Sequence, residues 1–441
     1  MRLHRSKITT LLVVTCSLFS PRSAGTQERA DAGPRVGPSF WRAASGVAAA
    51  NGITWAYNWY VQRWPWANVG TRVWSANLRS GFVWDNDCFV DNQLAHPYHG
   101  SFYLNSARAA GYGFWASVPY VAVGSASWEL FLENVRPSLN DFVNTTLGGA
   151  ALGEVTFRLR SLLGPNREGR RNFAREVGAF ALSPIAWTQG LLDGKARDRE
   201  SPAESRPDDA ALIAVGRRAE HAFVELAVVY GSPFDTQARR PYDAFEFRLE
   251  LSPETSGIIT HIGVTGLLGR QDLRRSARSQ VTFGVFQHYD YDDAPAFKFS
   301  GQSVSAGLLF RRELGSRNQL NLGLHAEGIV LGGMSSDHGQ MWRRDYDYGP
   351  GAGARLSGSF RRDERDLLRF DGRIVWLHSV HGSKANHLAT FARVGAALPL
   401  GGFLRLGGDV GLITRYSSYR NLPSVTRRVP QVRAYLIWPP S

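Results

Sequence analysis

The feature that most constrains this chain is a strict alternation of apolar and charged residues in its second half. Phe245 to Leu251 reads Phe-Glu-Phe-Arg-Leu-Glu-Leu, so each odd position is apolar and each even position is charged. Successive side chains of a β-strand point to opposite faces, so the segment predicts a strand with one apolar and one charged face. In a soluble sandwich the charged face would meet water. In a membrane barrel the apolar face meets lipid and the charged face lines a wet lumen.

The same alternation recurs along the rest of the second half, for instance at Leu320–Leu324, Phe370–Trp376 and Leu404–Val410. Between residues 210 and 441 we count about twelve such segments, an even number as in single-chain bacterial barrels. Many are longer than about ten residues, the length that a tilted strand needs to cross a bilayer. We therefore predict a membrane all-β fold with an α-helical N-terminal domain, built on an antiparallel outer-membrane β-barrel of about twelve strands.

Aromatic residues near the segment ends support a barrel, because membrane barrels carry aromatic girdles at both interfaces. These residues are Tyr289, Tyr291, Phe297, Trp342, Tyr346, Tyr348, Tyr416, Tyr419 and Trp438. The last segment ends at Trp438, as outer-membrane proteins usually end on an aromatic residue. Pro439-Pro440-Ser441 follow it and depart from that pattern.

The first residues of the chain resemble a secretory signal. Basic residues precede an apolar run from Ile8 to Phe19, and Ser23-Ala24 offers a cleavage site, so residues 1–24 are predicted to be a signal peptide. Cys16 as a lipoprotein cysteine is the alternative reading. After cleavage Cys88 would be the remaining cysteine, so no intrachain disulfide is expected. The predicted location is the cell outer membrane.

A flexible linker is predicted at residues 25–39, a helical domain at 40–193, a polar linker at 194–209 and the barrel at 210–441. Phe40 to Tyr60 shows apolar residues at helical spacing. Its many Trp and Tyr residues suit either a membrane interface or packing on the next domain.

Two helices are predicted next. The first begins at Pro97, since proline suits the first turn of a helix, and runs on through Trp115 with a kink at Pro119. The second begins after Ser138, which can form a capping box with Asp141. We expect the two helices to pack as a hairpin that plugs or braces the barrel.

A stripe of small residues marks the second helix. Thr145, Gly149 and Gly153 recur every four residues and would let another helix or the barrel wall approach closely. A leucine at Gly149 should therefore disturb packing more than a leucine at Ala151, two residues further on.

Several motifs in this region give the chain a family resemblance. They are Trp84-Asp85-Asn86-Asp87, His96-Pro97-Tyr98-His99-Gly100, Ala107-Arg108, Trp128-Glu129, Pro137-Ser138-Leu139-Asn140-Asp141 and Leu152-Gly153-Glu154. In this order they resemble a bacterial family known as domain of unknown function 3943, over residues 68–193. The resemblance implies an envelope protein with a helical domain before an outer-membrane barrel, and it implies no mechanism. The positions that carry it structurally are Asp85, Asp87, His96, Pro97, Gly100, Arg108, Trp128, Glu129, Ser138, Asn140, Asp141, Gly149, Gly153 and Glu154.

Histidines and carboxylates in the helical domain raise two chemical possibilities. His96 and His99 are three residues apart, and Asp85, Asp87 and Asp91 could complete a metal site. We predict no metal and no cofactor, because Pro97 at a helix start would let the two rings diverge. Instead we expect His96, Asp87 and Arg108 to form polar contacts that fix the hairpin.

The second possibility is acid–base chemistry. Glu129, Glu133 and Asp141 flank an apolar run, and a buried carboxylate beside His96 could act as a general base. The simpler expectation is a structural ion pair between one of the glutamates and Arg136.

Other chemistries find little support. His378 and Ser379 are adjacent, so on a strand they face opposite sides and cannot act together as in outer-membrane phospholipases. No G-x-S-x-G elbow occurs. The basic residues are nearly all arginine, which could serve lipopolysaccharide phosphates or an anion-favouring lumen, or could reflect codon usage alone. Nucleic-acid binding is not expected of a secreted barrel.

The sequence therefore predicts a non-enzymatic outer-membrane barrel for passage or binding of a small or lipidic solute, or for envelope structure, with a helical plug. The alternative is a membrane-embedded hydrolase that modifies lipid or lipopolysaccharide, using His96 or His99 with Glu129 or Asp141. Expected partners are outer-membrane lipid, lipopolysaccharide and the barrel assembly machinery. The small-molecule ligand is not predicted.

Overall fold

The computed structural model describes residues 37–163, 173–192, 210–218, 221–253, 257–294, 297–338, 344–363, 365–401 and 404–438. The chain divides into two compact units, a helical unit that includes residues 94–206 and a barrel unit that comprises residues 86–93 and 207–439. The predicted signal peptide, Cys16, the linker at 194–209 and Trp342 lie outside the described residues.

Seven α-helices and three short helical turns form the described part of the chain before residue 193. The α-helices are α1 (Phe40–Ala56), α2 (Thr71–Ser80), α3 (His96–Ala109), α4 (Phe114–Phe131), α5 (Leu139–Leu162), α6 (Phe173–Leu182) and α7 (Pro184–Leu192). The turns are π-helical at Tyr57–Gln62 and Asp91–Ala95 and 3₁₀ at Pro65–Ala67. The helix predicted from Phe40 is confirmed. None of the described helices is both long enough and apolar enough to cross a membrane.

The prediction of a hairpin of two helices is wrong in one respect. The segment predicted to be its first helix forms two helices, α3 and α4. Helix α3 ends at Ala109, where Gly111 adopts a positive φ of 95° that favours glycine. The N–H groups of Gly111 and Tyr112 bond to the carbonyls of Arg108 and Ala107, the two bonds of a Schellman cap. The cap stops α3 and a new helix, α4, starts after it, with Pro119 inside that helix.

The stripe of small residues on α5 makes the close contact that its spacing predicted. A Cβ added to Gly149 would lie 2.5 Å from the Cα of Gly100 on α3, and one added to Gly153 would lie 2.7 Å from the Cβ of Leu104. A Cβ on Gly100 would in turn collide with the carbonyl of Thr145. Backbone therefore meets backbone between α3 and α5, which leaves no room for larger residues at either glycine.

The barrel unit is a closed antiparallel barrel of twelve strands, which confirms the predicted fold class. Each strand pairs with its neighbours in sequence, and β12 closes the barrel on β1. The strands are β1 (Ala210–Arg218), β2 (His221–Tyr230), β3 (Phe245–Leu251), β4 (Ile259–Arg275), β5 (Ser279–Ala294), β6 (Phe297–Glu313), β7 (Asn318–Ser335), β8 (Tyr346–Arg362), β9 (Arg365–His378), β10 (Ala385–Gly401), β11 (Leu404–Tyr419) and β12 (Val425–Trp438).

The two faces of the barrel wall differ as the alternation predicted. Leu324, Ile374, Trp376, Leu406 and Val410 face outward and are 43–59% exposed. The alternate positions on the same strands face the lumen and carry charged or polar side chains in ion pairs and hydrogen bonds. An apolar outer surface around a charged interior is the architecture of a membrane barrel.

The two faces make a testable prediction on β3. Leu249 pairs with Leu226 and Ile262 on the neighbouring strands and faces outward, whereas Arg248 faces the lumen beside Glu246. Leu249→Arg should weaken the folded barrel by about 2–4 kcal/mol, because it places a charge in lipid. Arg248→Leu should cost less, since Glu246 keeps Arg369 as a partner. Urea titration of vesicle-folded protein, read by heat-modifiable gel mobility, measures both, and equal effects would contradict the assigned faces.

The barrel wall is uneven in height. Strands β1, β2 and β3 have 9, 10 and 7 residues, whereas β4 to β12 have 14 to 18. Strand β12 pairs with β11 from Val425 to Ile437 but with β1 only from Arg433 to Trp438. One arc of the wall is therefore short.

Part of the loop between β2 and β3, residues 231–244, folds against the inward face. Phe234 packs with the inward residues Leu267, Phe286 and Leu309, and its carbonyl accepts a hydrogen bond from Gln280 Nε2 at 2.9 Å. The Arg311 guanidinium lies over the Phe234 ring at 4.3 Å. The barrel's own loop therefore narrows one end of the lumen, a feature that the sequence did not predict.

Residues 86–93 group with the barrel and pack on its outward side. Phe89 stacks on Tyr291 of β5 at 5.5 Å and meets the edge of Tyr346 of β8 at 5.2 Å. Both tyrosines alternate with lumen-facing residues and so point outward. Tyr346 Oη donates to the Asp87 carbonyl at 2.8 Å and accepts from Asn92 Nδ2 at 2.9 Å. This segment is thus anchored to the wall by aromatic packing and hydrogen bonds.

Candidate functional site

The first candidate site is a cluster of His96, Glu129 and Asp141 in the helical unit. His96 is the first residue of α3, Glu129 lies in the last turn of α4 and Asp141 lies in the first turn of α5. One nitrogen or carboxylate oxygen from each lies within 4.8 Å of the others. Among the residues that the structure describes, this is the one group of His, Cys, Asp and Glu with such spacing.

The start of α5 positions two of these groups. Ser138 Oγ accepts a hydrogen bond from the Asp141 N–H at 3.2 Å, which confirms the predicted cap. The return arm of the capping box is different from the prediction, because the Ser138 N–H donates to Glu129 Oε2 at 2.8 Å and not to Asp141. The cap therefore ties the end of α4 to the start of α5 and leaves Asp141 for other partners.

Asn140 holds the other side of the cluster. Its Nδ2 donates to Asp85 Oδ1 at 2.8 Å and to Asp141 Oδ1 at 3.0 Å, and its Oδ1 accepts from the Asp85 N–H at 3.1 Å. His96 Nδ1 lies 3.2 Å from Thr145 Oγ1 on α5. His96 Nε2 lies 3.8 Å from Asp141 Oδ2, too far for a hydrogen bond.

Burial sets the electrostatics of the cluster. Glu129 and Asp141 are 1% and 3% exposed. Burial raises the pKa of the Asp141 carboxyl well above its usual range, and the nearby Asp85 and Glu129 carboxylates raise it further. Two buried carboxylates with a third close by concentrate negative charge that a proton or a cation would neutralise.

His99 does not join the cluster, although it was a candidate. Its ring packs against the edge of Trp128 at 4.8 Å, and its Nε2 lies 3.2 Å from the Tyr103 hydroxyl. Burial and the nearby His96 lower the pKa of His99 to about 3, so its ring is neutral at physiological pH. The first proposed metal set, which included His99 and Asp91, is not assembled; Asp91 instead accepts from Cys88 Sγ at 3.1 Å.

The predicted contact between His96 and Arg108 is wrong, whereas the part of the prediction that concerns Asp87 stays a prediction. His96 and Arg108 stand twelve residues apart on one helix, about 18 Å along its axis. Arg108 instead pairs with Glu154, at 2.8 Å, and Glu154 also pairs with Arg158 at 2.9 Å. This ion-paired group joins α3 to α5.

The predicted ion pair of Arg136 with a glutamate is also replaced by other contacts. Arg136 donates to the Ser80 carbonyl at 3.0 Å. Glu133 accepts from the indole N–H of Trp128 at 2.6 Å, and Glu129 accepts from Ser138 as described. The loop after α4 turns Arg136 away from both carboxylates.

The second candidate site is the barrel lumen, where arginines hold carboxylates on facing strands. Arg433 on β12 contacts Glu225 at 2.9 Å, Glu250 at 2.8 Å and Asp409 at 2.7 Å. It is itself 5% exposed. One guanidinium therefore links four strands across the lumen wall.

Two further groups continue this network. Arg355 and Arg373 share Asp290 and Glu327, with the closest contacts at 2.6 to 3.0 Å. Four residues before Arg373 on the same strand, Arg369 pairs with Glu246 at 2.7 Å and with Asp371 at 2.9 Å. Each of these arginines contacts a carboxylate, so this part of the lumen carries charges of both signs in pairs.

A cavity of about 420 Å³ lies inside the barrel among these groups. Its lining includes Glu246, His261, Asp290, Arg355, Arg369 and Arg373. Acidic and basic groups face each other across it, so the cavity offers partners to both charges of a small polar molecule.

Sequence reasoning missed a line of three polar groups elsewhere in the lumen. His387 Nδ1 lies 2.8 Å from Ser417 Oγ, and its Nε2 lies 3.2 Å from Asp347 Oδ2. All three side chains are fully buried. They come from β10, β11 and β8, so only the register of the barrel could have brought them together, and no sequence spacing signals them.

Residues 81–185 match the family described as domain of unknown function (DUF3943). No curated protein matches the chain. Among solved structures, the NanC porin is similar at 8% identity and a TM-score of 0.26, covering 52% of this chain and 98% of the porin.

Two other similar structures are a porin and an outer-membrane protein by their names. The KdgM porin shows 6% identity and a TM-score of 0.24, covering 52% of this chain and 98% of its own. The outer membrane protein opdK from Pseudomonas aeruginosa shows 14% identity and a TM-score of 0.21, covering 49% and 57%. At these scores the likeness says nothing about what this chain binds. Residues 81–185, which hold His96, Glu129 and Asp141, match the model of the DUF3943 family, whose resemblance the sequence motifs had indicated.

Proposed function

We propose that this protein is an outer-membrane β-barrel that lets small charged or zwitterionic solutes pass through an ion-paired lumen. The observation that carries the proposal is the cavity of about 420 Å³ inside the barrel, lined by carboxylates and guanidinium groups on facing strands. A cavity of this size suits one small molecule with a few polar anchoring points. The inward loop at 231–244 narrows one end of the lumen, so passage would be slower than through an open porin.

The outer surface supports the location and the partners that we propose. Its apolar outward face suits contact with lipid, and together with the predicted signal peptide it supports an outer-membrane location. Outer-membrane lipid, lipopolysaccharide and the barrel assembly machinery would be the partners of such a barrel. The helical plug stays a prediction, whereas residues 86–93 act as a brace on the outward face of β5 and β8.

Conductance across planar bilayers tests this proposal. The purified barrel should give small discrete steps with little preference between K⁺ and Cl⁻, since lumen charges are paired. Glu327→Gln should shift the preference toward Cl⁻, because Arg355 and Arg373 lose one of the two carboxylates that they share and keep Asp290. Arg317→Gln is the matched control, since Arg317 pairs with Asp363 in exposed turns.

Two results would count against passage. One is a conductance equal to that of the empty bilayer in protein whose gel mobility shows a folded barrel. The other is a selectivity that Glu327→Gln and Arg317→Gln change equally, which would place the conducting path outside the lumen.

A second candidate is a hydrolase acting on lipid or lipopolysaccharide. The observation that favours it is the convergence of His96, Glu129 and Asp141, three of the residues that the sequence suggested for acid–base chemistry. Release of fatty acid from lipid by the purified protein, abolished by Glu129→Gln with the fold intact, would select this candidate over passage.

A further inference from the structure

We infer that His96, Glu129 and Asp141 form a binding site for one divalent transition-metal ion such as Zn²⁺ or Mn²⁺. The three donors converge from three helices. His96 Nε2 and Asp141 Oδ2 remain 3.8 Å apart, and the three donor atoms all lie within 4.8 Å. Ligands of one such ion stand about 2.0–2.2 Å from it, so opposite donors can be roughly 4 Å apart. Small side-chain shifts would bring all three onto one ion.

Neighbouring groups orient each donor as the partners of metal ligands do. Thr145 Oγ1 lies at His96 Nδ1, so Nε2 is the nitrogen turned toward Asp141. Asn140 holds Asp141 Oδ1. The Ser138 N–H holds Glu129 Oε2. Hydrogen bonds of this kind fix ring orientation and raise the basicity of metal ligands, and they commonly account for a tenfold or greater part of metal affinity.

Charge and donor type point to the class of ion. Two carboxylates that are almost fully buried need a compensating positive charge, and Asp85 adds a third carboxylate through Asn140. One imidazole nitrogen with two carboxylate oxygens suits Zn²⁺, Mn²⁺ or Fe²⁺ better than Ca²⁺, which prefers oxygen ligands alone. Three protein ligands would leave a position for water or a substrate. The His96 side chain is 15% exposed, so the site borders the surface.

This inference is independent of passage through the lumen, because none of its residues belongs to the barrel unit. It also differs from the metal set that the sequence first suggested, since His99, Asp87 and Asp91 are not among the donors. In the hydrolase candidate Glu129 acts as a general base, whereas in this site it would bind the metal ion.

Metal titration of the full chain tests the inference. Protein without a histidine tag, folded in detergent and stripped with a chelator, is titrated with ZnCl₂ or MnCl₂ and the bound metal is counted by mass spectrometry. We expect about one ion per chain, at least tenfold weaker binding in Asp141→Asn and Glu129→Gln, and a similar weakening in Thr145→Val. Asp91→Asn is the matched control and should bind as the unaltered chain does.

Thermal unfolding keeps the test decisive if a variant folds poorly, because an ion that binds the folded chain should raise the unfolding midpoint of the unaltered chain and not that of Asp141→Asn. The inference would be overturned by a stripped, folded chain that binds neither ion in large molar excess, or by binding that Asp141→Asn and Asp91→Asn leave equally intact.

Discussion

Gly149→Leu will open the helical unit to protease, whereas Gly52→Leu will leave it protected. A Cβ at Gly149 would lie 2.5 Å from the Gly100 Cα, a backbone atom that cannot turn aside. Gly52 lies on α1, where an added Cβ meets nothing within 4 Å. Overpacking of a buried contact costs about 1–3 kcal/mol or more, while an exposed helical glycine gains about half to one kcal/mol from a better helix former.

Limited trypsin digestion and thermal melting of the two variants measure this difference. The substitution is chemically the same in both, so the contact with α3 is the variable. Ala151 is not the mild control that its distance from the stripe suggested, because it is fully buried and would also be overpacked. If Gly149→Leu and Gly52→Leu resist protease equally, the two helices are not in backbone contact.

Arg433→Met will destabilise the barrel more than any other single loss of a lumen arginine considered above. The change removes the common partner of Glu225, Glu250 and Asp409. Removing one partner of a buried ion pair costs about 3–5 kcal/mol, and we expect a loss toward the lower figure because Glu250 keeps Arg218 at 2.8 Å and Asp409 keeps Arg393 at 3.8 Å. Arg248→Met should cost less than about 1 kcal/mol, because Arg248 has Glu246 as its pair and Glu246 retains Arg369.

Urea unfolding followed by heat-modifiable mobility compares the two arginine variants. Adding Glu250→Gln to Arg433→Met should recover part of the loss, since one of the carboxylates that contact Arg433 becomes neutral. Equal midpoints for Arg433→Met and Arg248→Met, with no recovery in the double variant, would show that Arg433 is not needed to stabilise these carboxylates.

The barrel could be predicted from the sequence because its signal is local. In a strand such as Phe245–Leu251, the alternation of seven residues is enough to identify the apolar face and the charged face. The start of α5 was equally local, since Ser138 and Asp141 lie within one turn. The end of α3 could not be predicted, because the sequence allows the helix either to continue through Gly111 or to end in a cap there. The structure has the hydrogen bonds of a Schellman cap at Gly111.

The site could be predicted in part. The residue types were identified, but which of the histidines would meet Glu129 and Asp141 depends on how α3 packs on α5, and that follows from the contact of Gly100 with Gly149. The network around Arg433 depends on the register of strands far apart in sequence. The spacing of residues in the sequence predicts neither the His96 cluster nor the Arg433 network.

The unequal strand lengths have a consequence for how the barrel sits in a bilayer. Backbone groups cannot remain unpaired in hydrocarbon, so the part of β12 before Arg433, which has no β1 partner, must lie beyond the hydrocarbon layer. Strands of about nine to eleven residues suffice to span that layer, which is close to the lengths of β1 and β2. The short arc therefore marks the edge of the hydrocarbon layer, and the ends of the longer strands extend beyond that edge. The polar, tyrosine-rich patch that receives Phe89 lies toward that rim, where aromatic residues and water meet the lipid head groups.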